Sequence, residues 1–335
     1  MQKRGISFPF FYANTKMYKL KKVSEIVIIT ADLKQMLDLF CNYGGWTHIF
    51  TKKILKSVLI SWGISEKSTA KEALIQFMDI DFGRIRFVEI KGITQKIMRP
   101  TSKLWDTGGI YDIDIRTHDI SEIFDEMINR NWLAAAVPMT LPITAFEIDE
   151  SVLTNADSMT IALAKRHSPS LELPEGKKFA SNIYLSAMTV KNLAMGTDFF
   201  VNKLGFQLVN DNLKVKFPPN SPNNFGVPHN FSDKFEIALS IYSPDGTRDT
   251  MVECIETVGL LGNDYSAKCE APNRGILCYR IEVENIIGYL NFVKNNGVSE
   301  KKPLSIQLWH GIGQVKTFTV CSPDGAWVMF FEKMK

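Results

Sequence analysis

No run in the chain approaches the ~20 consecutive apolar residues of a membrane-spanning helix, so no membrane partner is predicted. The five cysteines, at 41, 254, 269, 278 and 321, include no CxxC pair, which argues against a zinc knuckle or a disulfide framework. An excess of one charge is also missing. The net charge is +3 with both signs spread along the sequence, so nothing offers an electrostatic footprint for nucleic acid. A cleavable leader is not predicted: MQKRGISFPFFYANTKMYKLKK opens with basic and then apolar residues, but Pro9 interrupts the run. Lys16, Lys19, Lys21 and Lys22 follow where cleavage would fall. The expectation is a cytoplasmic protein with reduced thiols.

What the chain has is apolar residues, 45% of 335, enough for a sizeable core. They are arranged in a repeat. In SEIVIITADLKQMLDLFCNYGGW a period-2 strand (25–30) meets a helix start at Asp32, followed by Leu33, Met36, Leu37 and Phe40 at helical spacing. GIYDIDIRTHDISEIFDEMINRNW repeats the pattern, with a strand over 111–116 and a helix start at Asp119. SNIYLSAMTVKNLAMGTDFFVNKLGF and GILCYRIEVENIIGYLNFVKNNGV are third and fourth copies. Strand-like segments follow each helix, and the turn SPDG recurs at 243–246 and 322–325, before the last strand of the third and fourth copies.

The unit is therefore β-α-β-β-β, written four times. The first copy carries an insertion around 52–77, whose SEKSTAKEALIQF reads as a helix, and its last strand is read at TQKIMRP. RHSPSLELPEGKK is rich in Pro, Ser and charge. The predicted organisation is a loosely attached extension (1–16), a first pair of units (17–166), a linker (167–178) and a second pair (179–335).

A tandem β-α-β-β-β array with SPDG before the final strand resembles the vicinal oxygen chelate superfamily, the group of glyoxalase I, extradiol dioxygenases and bleomycin resistance proteins. The resemblance covers residues 23–332. It implies an α+β fold: four modules forming two curled mixed sheets, with helices on the outer faces and a cavity inside. Metal-binding members place His or Gln on the first strand of a unit and Glu on the last. Counted seven residues back from each helix start and along each last strand, the matching positions are Glu25 and Lys96, Asp112 and Ala162, Asn182 and Glu253, and Cys278 and Met329. None of the first-strand positions is a histidine, and one last-strand position is a carboxylate. Glu332 lies three residues past Met329, on the opposite face of the strand. Lys96 would repel a cation, so no metal site and no cofactor are predicted; a divalent metal held by Asp112, Asn182 and Glu253 is the alternative, if the second and third units adjoin.

Strand alternation sets Asp112, Asp114 and Arg116 opposite Tyr111, Ile113 and Ile115; Asn182, Tyr184 and Ser186 opposite Ile183, Leu185 and Ala187; and Cys278, Arg280 and Glu282 opposite Leu277, Tyr279 and Ile281. The apolar set should meet the helix and the polar set the cavity. At the ligand positions that the resemblance implies for the second and third units, the carboxylates Asp112 and Glu253 are the candidate general acid–base pair; Glu25, Asp114, Arg116, Asn182, Tyr184 and Arg280 are the candidate substrate contacts. Asp114 with Arg116, and Arg280 with Glu282, could instead simply pair with each other. Trp327, Met329 and Phe331 form either a wall for a flat ligand or the plug of a filled barrel. The expected function is binding a small polar or aromatic molecule in the cavity, with or without transforming it. The alternatives are a lyase, epimerase or dioxygenase with atypical oxygen ligands, and a sequestering protein of the resistance type. Monomer and homodimer are both compatible.

Overall fold

The computed structural model describes residues 18–143 and 147–334, and the extension read over 1–16 lies outside them. The first unit comprises β1 (Lys19–Ile29), α1 (Leu33–Leu37), β2 (Thr47–Lys53), α2 (Lys56–Ser61), β3 (Thr69–Gln76) and β4 (Arg84–Lys91). The second comprises β5 (Asp112–Arg116), α3 (Ile120–Asn129), β6 (Leu133–Ala134), β7 (Met139–Thr140), β8 (Glu147–Thr154) and β9 (Thr160–Ser168). The third is β10 (Leu185–Thr189), α4 (Leu193–Thr197), β11 (Gln207–Val215), β12 (Glu236–Ser243) and β13 (Met251–Val258). The fourth is β14 (Gly275–Glu284), α5 (Ile286–Asn295), β15 (Glu300–Trp309), β16 (Gly313–Cys321) and β17 (Trp327–Lys333). Among the described residues, no helix is long and apolar enough to cross a membrane.

All four repeat helices start the same way. The side chains of Asp32, Asp119, Asn192 and Asn285 accept hydrogen bonds from the backbone N–H groups of Gln35, Glu122, Met195 and Gly288 at 2.9–3.0 Å. Each satisfies a donor that the first helical turn leaves orphaned. Glu332, which faces away from the cavity as parity requires, accepts from the backbone of Asn285 at 3.1 Å and so holds the start of α5.

Two mixed sheets result. One has the order β15-β16-β17-β14-β1-β4-β3-β2 and the other β11-β12-β13-β10-β5-β9-β8-β6, with β7 against β8. Within each unit the first and last strands are parallel. Between units the first strands are antiparallel, β1 with β14 and β5 with β10. The first unit therefore shares a sheet with the fourth, and the second with the third. Each sheet takes one unit from either side of the 167–178 stretch, which connects two units of one sheet. The helix-facing sides of both sheets (Ile26 and Ile28, Ile113 and Ile115, Met188, Tyr279 and Ile281) merge with the apolar faces of α1, α3, α4 and α5 into one core.

Two expectations are corrected. TAKEALIQ is strand β3, despite the helix propensity of its Ala, Lys, Glu and Leu. Its place between β2 and β4 buries Ala73, Leu74 and Ile75 on both faces, and that tertiary gain outweighs local preference. The last strand of the first unit is β4, not TQKIMRP, which makes a single bridge, Ile97 to Arg274. β4 runs parallel to β1 with Arg86 beside Val27, just as Ala162, Glu253 and Met329 lie beside Asp114, Ala187 and Arg280. The last-strand position of the first unit is accordingly Arg86 rather than Lys96.

Candidate functional site

The two sheets have opposite interiors. Inside the sheet of the first and fourth units, Val27, Ile29, Val88 and Ile90 meet Cys278, Trp327, Met329 and Phe331, while Val58, Leu59 and Trp62 of α2 and its flanks pack into the same cluster. Most of this interior is filled, with Trp327 and Phe331 in the packed cluster; a smaller space of about 190 Å³ remains, bordered by Trp62, Gln307, Thr317, Thr319 and Met329. Its buried acids and bases form an ion cluster, although Arg84 Nε and Arg280 Nε have no hydrogen-bond partner. Glu25 accepts from Arg86 Nε at 2.7 Å and Nη2 at 2.8 Å, and from Arg280 Nη1 at 3.2 Å and Arg84 Nη2 at 3.3 Å. Arg86 also pairs with Glu72 at 2.9 Å, and Glu72 with His310 Nδ1 at 2.7 Å. Burial would raise the Glu25 carboxyl, but Arg86, then Arg280 and Arg84, hold it down at about 2. Arg280 stacks on Trp309 at 3.9 Å. The pairing of Arg280 with Glu282 is not formed; Glu282 binds Lys21 and Lys333. Glu25 and Arg280, read as substrate contacts, are parts of this internal ion cluster.

The sheet of the second and third units encloses a cavity of about 260 Å³. The space exists because small residues, Ala162, Ala164 and Ala187, occupy inward positions, where the other sheet has Met329 and Arg86. The lining is mainly apolar, including Ile148, Val152, Leu239, Ile241 and Ile255. Four carboxylates interrupt it: Asp112 and Asp114 of β5, Glu150 of β8 and Glu253 of β13. Asp112, Asp114 and Glu253 are 5%, 6% and 8% exposed, and Glu150 is half-buried.

Few groups neutralise these carboxylates. Asp112 Oδ1 accepts from the backbone N–H of Ala187 at 2.9 Å, and Glu150 from Asn224 Nδ2 at 2.7 Å. Asp114 Oδ1 has no hydrogen-bond partner. Burial is the main cause that raises all four. It brings Asp112 to about 6, and with the charge of Asp112 it brings Glu150 to about 7. Asp114 is raised well above the carboxylate range by burial and then by Asp112, Glu253 and Glu150; Glu253 is raised likewise by burial, Asp112 and Glu150. A side-chain hydrogen bond between the two carboxyls raises Asp114 further and lowers Asp112. Like-charged carboxyls in a desolvated site cannot all ionise.

Of the residues read as a site, Asp112, Asp114, Arg116, Tyr184 and Glu253 are brought together in this cavity. Arg116 does not pair with Asp114; its guanidinium stacks on Tyr184 at 4.1 Å. Asn182 lies elsewhere. It precedes β10, and its amide bonds to the backbone carbonyl of Ile183 at 3.3 Å. The helix of the third unit is capped by Asn192, so seven residues back is Leu185, and the inward face carries Leu185 and Ala187. Ser186 points the other way, to Tyr279. Within β10 the third unit therefore reverses the expected parity, while Tyr184, just before the strand, lines the cavity as expected. Tyr111 also departs from it: β5 begins one residue later, and Tyr111 joins the cavity side. Glu150 was not anticipated. Its signal was a carboxylate in phase with Ile148 and Val152, on the buried side of a strand.

The positions that hold metal in the resembled superfamily can now be tested. In the hollow sheet they are Asp112, Ala162, Leu185 and Glu253, so two of four carry no donor. Among the described residues no three His, Cys, Asp or Glu side chains are grouped so as to hold an ion. In the filled sheet they are Glu25, Arg86, Cys278 and Met329, and the guanidinium of Arg86 already sits on Glu25. Neither set fits the divalent ion.

Architecture and cavity define the vicinal oxygen chelate fold. No family model and no curated protein matches the chain. Among solved structures, glyoxalase I from Zea mays superposes with a TM-score of 0.60 at 13% identity, covering 94% of this chain and 92% of that one. A point variant of the same enzyme gives 0.60 at 14%, covering 95% and 94%. A candidate dioxygenase from Bacillus subtilis gives 0.56 at 8%, covering 95% and 86%. At such identities the likeness is one of fold.

Proposed function

We propose that the cavity of the second and third units binds a small organic molecule and can move a proton on it without a divalent metal, while the first and fourth units serve as scaffold. The observation that carries this reading is four acidic side chains converging in a mainly apolar, sheet-lined space that also takes in Arg116, Arg166 and Arg248. Pockets of this make-up, mainly apolar with a few convergent polar groups and displaced pKa values, are where small molecules bind and proton transfer occurs. Asp112, poised near 6, is the proposed base. Glu253, whose carboxyl is pushed well up by burial and then by Asp112 and Glu150, is the proposed acid. Asp114 tunes Asp112, and Tyr184 and Arg116 border the entrance.

The test is a ligand-observed NMR screen of a metabolite library against chelator-treated protein, repeated with Ala162→Phe to fill the cavity. Hits that survive chelation and vanish in the filled variant support the reading. Hits that need added metal, or that persist in a folded Ala162→Phe protein, overturn it. For any hit, exchange of carbon-bound hydrogen with deuterated solvent should require Asp112. A ligand recovered unchanged, with Asp112→Asn binding it equally, would leave a sequestering protein instead of an enzyme.

A further inference from the structure

We infer that the molecule this cavity takes is an organic cation, an apolar body bearing a protonated amine or amidine whose charge is set among Asp112, Asp114, Glu150 and Glu253. The inference rests on the reading of the cavity as a ligand site and adds the chemical class. The chain itself provides the contrast. Where a buried carboxylate is structural, as at Glu25, three arginines converge on it. In the cavity Asp114, almost fully buried, has another acid, Asp112, for its side-chain hydrogen bond, and its Oδ1 has no partner. Each of Asp112 and Glu150 receives one neutral N–H. A buried acidic group left this way is costly until a cation or a proton neutralises it.

The cations near the cavity are placed otherwise. Arg116 is engaged with Tyr184. Arg99 donates to the backbone oxygens of Gly108 and Asp106 and to Thr189 Oγ1. Arg166, half-buried, and Arg248, exposed, also line the cavity. A hydrated metal ion matches poorly, because Ile, Leu and Val side chains cover most of the wall and could not replace its water shell. An ammonium on a hydrocarbon body satisfies both parts of the lining. The space holds about nine waters at ~30 Å³ each, which suits a single ring with a short basic chain.

A cation entering must displace protons from the raised carboxyls, so binding and proton release are linked. Affinity should rise with pH through the region of Asp112 and Glu150, about 6 to 7, by about tenfold per pH unit for each proton released. The experiment uses three isosteres: phenethylamine, 2-phenylethanol and phenylacetate. Binding to the full chain is measured by NMR and calorimetry at pH 6 and pH 8, in buffers of different ionisation enthalpy. The amine should bind about tenfold or more tighter than the alcohol at pH 8, the scale of one charge-assisted hydrogen bond, and should release protons. Glu150→Gln and, separately, Asp112→Asn should each reduce that preference and its rise with pH while the alcohol still binds; thermal unfolding checks that each variant is folded. Equal or tighter binding of the alcohol or phenylacetate overturns the cation assignment and leaves the cavity reading standing. Absence of binding by all three overturns both. Displacement of the amine by submillimolar Mg²⁺ or Mn²⁺ would assign the carboxylates to a metal.

Discussion

Replacing Glu150 by Gln should flatten the pH dependence of stability. The carboxyl of Glu150 is raised from 4.5 to about 7 in the folded chain, by burial and then by Asp112. Below about pH 4.5 both folded and unfolded states hold the proton, and the native state gains the full benefit of a neutral side chain. As the pH rises the unfolded state ionises first and is stabilised relative to the native state. Stability is lost until the pH passes about 7, where both are ionised. At ~1.4 kcal/mol per pH unit the complete loss is ~3 kcal/mol, of which less than ~1 kcal/mol is present at pH 5. Wild type should therefore lose ~2 kcal/mol from this residue between pH 5 and pH 8, the half-buried position favouring the lower end. Gln keeps an oxygen for the 2.7 Å hydrogen bond from Asn224 and cannot ionise. Urea unfolding at the two pH values, with coincident probes to verify a two-state transition, reads the difference. Parallel profiles for wild type and Glu150→Gln, within ~0.5 kcal/mol, would show that Glu150 is not desolvated.

Other outcomes follow from the filled half. Glu25→Ala should cost ~3–5 kcal/mol in urea unfolding, because Arg86 and Arg280 would remain buried without their carboxylate. Trp62→Ala should cost ~3–5 kcal/mol by opening a void among Val58, Leu59 and Phe331, yet leave ligand binding in the other sheet unchanged. Glu332→Ala should cost ~1 kcal/mol through loss of its hold on α5, seen as faster amide exchange in that helix.

Much of the architecture was legible because its signals are local and repeated. Asp32 and Asp119, each ahead of an apolar stripe, open helices as read, and Trp327, Met329 and Phe331 share an inward face. What was not legible depended on partners distant in sequence. Nothing in TAKEALIQ shows that β2 and β4 flank it, so its residues suggested a helix. The association of the first unit with the fourth is made by β1 and β14, some 250 residues apart, and local pattern does not encode such pairings. The site was half visible. Asp112, Asp114, Arg116, Tyr184 and Glu253 share the cavity. Asn182 was misplaced by three residues because the cap at Asn192 was overlooked. Glu25 and Arg280 have the right parity but the wrong sheet, where arginines satisfy the acid and apolar side chains fill the space. Composition at single positions decides this: Ala162 leaves room where Met329 takes it.

The central claim is that the cavity of the second and third units takes the ligand while the apolar cluster inside the other sheet is closed to it. Methyl NMR with labelled isoleucine measures this directly. On titration with phenethylamine, the account predicts shifts at Ile148, Ile237, Ile241 and Ile255, which line the cavity, and none at Ile54, Ile64 and Ile90, which lie in the packed interior. Shifts confined to the second group would contradict it.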